Sequence, residues 1–198
     1  MNIGNRGEKQ EAETVVHSPA LLETVKLLEG RGEIRPFFTY DFGRVKDSHG
    51  FSVVGTKEWA EEIWAFLRPQ LPQGTITFLG TEYWLGEESP GEVELVLAEG
   101  EEPWDILRQA RTDAINYGMN TEDLIRRLQS FYEEASFTLI QATSDIVEWR
   151  LDSWPQELAA YCEKIYELCP DIVDQGVGSV EILTDFVATT GRVWLWWD

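Results

Sequence analysis

The stretch TEDLIRRLQSFYEEASFTLIQATSDIVEWRL, Thr121–Leu151, decides the fold class. Its first half repeats apolar residues at helical spacing, Leu124, Leu128, Phe131 and Tyr132, behind Thr121 as the expected N-cap. Its second half breaks into two short runs rich in β-branched and aromatic residues, Phe137 to Ala142 and Ile146 to Leu151, around Thr143, Ser144 and Asp145, and so predicts a hairpin. A helix running straight into a hairpin points to an α/β (α+β) chain: a mixed, largely antiparallel sheet packed with helices.

The same alternation continues outward. Ser18 and Pro19 predict a helix start, followed by Leu21, Leu22, Val25 and Leu28 on one face and a stop at Gly30 and Gly32. Phe37 to Phe42 and Phe51 to Val54 read as strands, and Thr56 opens a helix with Trp59, Ile63, Phe66 and Leu67 on its apolar side, closed by Pro69. Strands are expected at 74–79, 82–85 and 92–98, the last with Val93, Leu95 and Leu97 facing opposite to Glu94 and Val96. Toward the C-terminus, Pro155 starts a helix carrying Leu158, Cys162, Ile165 and Cys169, and Ser179 caps another that ends at Gly191. The final run, Arg192 to Trp197, is apolar on both faces and is expected inside the sheet. Residues 1–17 read as a flexible leader, 18–99 as an N-terminal α/β subdomain and 100–198 as a C-terminal α/β domain.

Charge narrows the function classes. The 198 residues carry 36 Asp and Glu against 16 Lys and Arg, a formal net charge of -20. Such a field repels polyanions and attracts basic partners, so nucleic acid is not expected as a ligand. The N-terminal residues lack the apolar core of a secretory signal, and no run approaches the ~20 apolar residues of a membrane span. Both point to a cytoplasmic protein with no membrane contact. Cys162 and Cys169 stand seven apart on one helix, about 10 Å along its axis, too far for a disulfide, so both are expected as free thiols.

Chemistry-bearing residues are few. His17 and His49 have no zinc-ligand spacing, no metal or cofactor is expected, and Gly176 to Ser179 lacks the lysine of a phosphate-binding loop. The informative group is polar side chains set in apolar sequence: Thr112, Asp113, Asn116 and Tyr117 before the middle helix, and Asp171, Asp174 and Gln175 after Cys169. Such residues offer oxygen ligands and oriented donors to a polar ligand or a cation, or they tie two loops together. They are expected to meet in space. Glu58, Glu61 and Glu62, opposite much of the apolar stripe of their helix, are candidates for partner binding.

Four strings carry a resemblance: WDILRQARTDAINY at Trp104–Tyr117, TEDLIRRL at Thr121–Leu128, YELCPDIVDQGVGSVEIL at Tyr166–Leu183, and GRVWLWWD at Gly191–Asp198. Together they resemble the bacterial family catalogued as domain of unknown function 4253, over about residues 100–198. The resemblance implies a compact α/β domain with its signature strings on loops and on the last strand. Two functional expectations stand side by side. One is a non-enzymatic acidic binding protein, of the immunity or inhibitor type, that neutralises a basic toxin. The other is an enzyme or small-ligand or metal binder centred on the Asp, Asn and Gln group.

Overall fold

The computed structural model describes residues 16–40, 46–83 and 91–197, and the expected leader falls almost wholly outside them. Ser18 accepts from the Leu21 amide at 3.2 Å and Pro19 opens α1 (Pro19–Val25), which runs into a 3-10 turn ending at Leu28. Leu21 and Leu28 are buried, whereas Leu22 is 46% exposed, so the apolar face is narrower than the spacing suggests. Strands β1 (Arg35–Tyr40) and β2 (Lys46–Thr56) follow, then α2 (Lys57–Leu67), capped by the Thr56 side chain. Trp64, not Phe66, completes the buried face of α2.

The two expected strands around residue 80 are one strand, β3 (Thr75–Tyr83), irregular between Leu79 and Glu82. After it come β4 (Glu92–Glu99), α3 (Asp105–Ala110) and α4 (Thr121–Glu134). Asn120, rather than Thr121, caps α4: its side chain accepts from the Asp123 amide at 3.0 Å while Asp123 accepts from the Asn120 amide, a reciprocal pair that a threonine one position later cannot make. The predicted hairpin is β5 (Phe137–Ala142) and β6 (Ile146–Leu151), followed by α5 (Leu158–Leu168), a π-helical turn at Ile172–Val177, α6 (Val180–Thr190) and β7 (Arg192–Trp196).

All seven strands form one sheet in the order β1-β2-β4-β3-β5-β6-β7. It is antiparallel except where β3 meets β5, a parallel contact with the single register pair Leu79↔Gln141. This contact carries the sheet across from the first half of the chain to the second. Helices cover both faces, so β4, internal to the sheet, is buried on both sides: Val93, Leu95 and Leu97 pack toward α1 and α2, while Val96 and Ala98 pack toward α3 and α4. The far strands share the second core, where Phe131, Trp149 and Tyr161 meet at ring distances of 5.3 to 6.5 Å.

β7 is an edge strand, not an internal one. Its two apolar faces have another cause: Val193, Leu195 and Trp197 are buried in the core under α5 and α6, and Trp194 and Trp196 pack on each other at 4.7 Å on the opposite face. A strand can thus be apolar on both sides without a neighbour on both edges, because burial of the faces and pairing of the edges are separate conditions. Cys162 and Cys169 are buried free thiols.

Candidate functional site

The polar residues singled out from sequence form a framework rather than a convergent pocket. Thr112, fully buried, donates its hydroxyl to the Thr143 carbonyl at 2.5 Å, and the Asp113 amide donates to the Ser144 carbonyl at 3.0 Å. The segment before α4 therefore holds the β5–β6 turn in place. The Asp113 carboxylate turns back to its own loop, accepting from the Ile115 amide at 3.3 Å, and Asn116 is exposed.

The two polar segments touch at one pair. Tyr117 donates its hydroxyl to Asp171, and this hydrogen bond to a buried carboxylate is the first cause of a phenol pKa pushed up to about 12. Asp171 also accepts from the Gln175 amide group at 2.9 Å, and Asp174 accepts from Tyr166 at 3.0 Å. These carboxylates thus already have donors. Among the described residues no group of three or more His, Cys, Asp or Glu side chains is arranged to hold a metal ion.

The same turn supports the last strand. The Cys169 thiol donates to the Trp196 carbonyl at 2.9 Å, and burial pushes the thiol up to about 11. Gly176 leaves room for the Trp196 ring, since a Cβ there would stand 2.7 Å from the indole Cη2. Gly178, at φ +89°, takes the left-handed conformation that ends the π-helical turn before Ser179 caps α6.

What this framework buttresses is a cleft of about 990 Å3 that periodicity could not reveal. It opens where the two parallel strands end. β3 leaves toward β4 and β5 leaves toward β6, in opposite directions along the sheet, so the residues after Leu79 and after Gln141 diverge. Crevices at such switch points are where open α/β sheets bind ligands. One wall consists of Gly80 to Tyr83 with Arg35 and Glu94; the other consists of Ala142 to Ile146 with Trp194 and Trp196. At the first wall the Arg35 guanidinium donates to Glu94 at 3.2 Å and to the Tyr83 hydroxyl at 2.9 Å, and Glu94 accepts from Ser52 at 2.6 Å. None of the seven sequence-predicted ligand residues lines the cleft.

Beside the cleft lies a buried ionic network. Glu148, 4% exposed, stands 3.2 Å from Arg192, which is also 3.0 Å from Glu61, and 3.9 Å from Lys57, which pairs with Glu82 at 2.8 Å. Burial raises the Glu148 carboxyl above its ordinary range despite the two cations. Of the three expected partner-binding acids, Glu58 and Glu62 are exposed, whereas Glu61 is half-buried and engaged with Arg192. Among the described residues no helix is long and apolar enough to cross a membrane.

No curated protein and no solved structure gives a significant match to the chain. The C-terminal region does match a family, and the match takes in the signature segments that hold the cleft's second wall together. Over residues 94–198 the chain fits the family described as a domain of unknown function, DUF4253, and it belongs to that family.

Proposed function

We propose that this protein is a non-enzymatic binding protein that engages a basic protein partner, in the manner of an immunity protein or inhibitor that occludes a basic toxin. The observation that carries the reading is the disposition of its polar groups: Asp171 and Asp174 are engaged by Tyr117, Gln175 and Tyr166, while acids such as Glu58 and Glu62 stand exposed in a chain whose formal net charge is -20. Asp171, buried and hydrogen-bonded within the chain, serves the fold, and exposed carboxylates such as Glu58 and Glu62 act at a distance on a partner of opposite sign. Two buried free cysteines suit a reducing, cytoplasmic setting.

Affinity capture from the source organism, followed by association kinetics with the recovered partner at increasing salt, tests the reading. Association should slow steeply with salt while dissociation changes little, and the double variant Glu58→Gln/Glu62→Gln should slow association without lowering the melting temperature. Turnover of a small substrate that is lost in Asp174→Asn would favour the enzyme reading instead.

A further inference from the structure

We propose that the cleft at the carboxyl ends of β3 and β5 is the anchor point for that partner, receiving one of its basic side chains over the Trp194–Trp196 pair and against the Asp145 carboxylate. The inference rests on the basic-partner reading and adds to it a place and a chemistry.

Three observations carry it. The first is the aromatic wall. Trp194 and Trp196 lie on one face of β7, centroids 4.7 Å apart and tilted by 33°, and both are only half-buried. Trp196 is fixed from behind by Gly176 and through its backbone by Cys169. Rigid indoles bordering a cleft present π faces, and those faces attract cations. The second is the carboxylate. Asp145 is exposed at the same end of the strand pair, where its carbonyl accepts from the Trp197 amide at 3.1 Å. Its Oδ1 is oriented by the Thr143 and Ser144 hydroxyls at 2.9 and 3.1 Å, and no basic side chain among the described residues pairs with it. An oriented carboxylate lining the same cleft as an aromatic pair offers a receptor for a guanidinium or ammonium group.

The third observation is the opposite wall, which already holds a cation in this way. The Arg35 guanidinium lies 5.4 Å from the Tyr83 ring centroid while donating to Glu94. Thus each wall combines an aromatic face with a carboxylate, and on one of them an arginine of the chain itself occupies the place. Charge also selects against anions: among the described residues Glu82, Glu94 and Asp145 line the cleft with one basic residue, Arg35, inside a strongly acidic protein.

The test titrates the full-length protein with N-acetyl-arginine amide and with its uncharged isostere N-acetyl-citrulline amide, following the indole and backbone N–H signals in NMR spectra. Trp194→Phe and Trp196→Phe identify the two signals. Saturable shifts confined to Trp194, Trp196 and the Thr143–Asp145 turn are expected with the arginine compound, weakened at least fivefold by the citrulline exchange and by Asp145→Asn. That variant keeps the Oδ1 acceptor, and an unchanged melting temperature confirms its fold. Equal response to citrulline, an equal response to glucose, or non-saturating shifts spread over the surface acids would overturn the proposal. If Asp145→Asn leaves affinity for the captured partner unchanged, the anchor falls and the basic-partner reading stands. If arginine binds here and no basic partner is found, that reading falls and the cleft stands as a site for an organic cation.

Discussion

Gly176 lies against the indole of Trp196 so closely that a Cβ at that position would come within 2.7 Å of the ring. The contact joins the turn after α5 to the edge strand, and through it the residue chosen in one loop sets where an aromatic wall stands. Gly176→Ala should displace the ring, shift the tryptophan emission and cost about 1–3 kcal/mol, the usual range for overpacking. Gly178→Ala, where nothing lies within 4 Å but φ is positive, should cost about 1 kcal/mol and leave the emission unchanged. Urea unfolding followed by fluorescence separates the two. Equal spectra for both variants would count against the contact.

Tyr117 and Asp171 tie the two polar segments together, and the bond has a pH signature. The phenol is raised from about 10 to about 12, so its stabilising contribution is complete below pH 10 and is lost as pH rises toward 12. Tyr117→Phe should cost about 1 kcal/mol at pH 7, and its deficit against the parent should vanish above pH 12. Absorbance at 295 nm should show one fewer late-ionising tyrosine in the variant.

Arg192 is the nearer of the two cations facing the buried carboxylate of Glu148. Arg192→Ala should cost about 1–3 kcal/mol at neutral pH, less than a fully buried pair would lose because the guanidinium side chain is 29% exposed. Glu148 is raised above its unfolded value, so a protonated Glu148 favours the fold at acid pH and that advantage is lost as pH rises through the folded value. The Arg192→Ala deficit should therefore shrink on acidification. Adding Glu148→Gln should recover much of it at pH 7, and no recovery would place the loss in packing instead.

Burial raises both cysteines, Cys169 to about 11. Thiolate is therefore scarce at pH 8, and a thiol reagent should modify neither residue in the native protein within the time that it modifies both in denaturant. Fast native labelling of Cys169 would mean that the turn opens readily.

Sequence by itself determined most of the elements and several of their caps: Ser18, Thr56, Ser179 and Gly191 mark helix ends because the backbone groups at those ends need local partners, and local partners are neighbours in the chain. It determined the β5–β6 hairpin, the two free thiols and the family, whose signature strings are contiguous. It also identified Thr112, Asp113, Tyr117 and Asp171 as residues with a purpose, though which purpose depends on distant carbonyls and carboxylates that no local pattern encodes. Tertiary structure alone decided that β7 is an edge, because face burial is written in alternation whereas edge pairing depends on which strand arrives beside it. It alone placed β3 beside β5, since Leu79 and Gln141 are 62 positions apart and a parallel pairing leaves no turn to read. The cleft follows from that one pairing, and its walls draw on residues from Arg35 to Trp196, brought together by sheet order rather than by spacing.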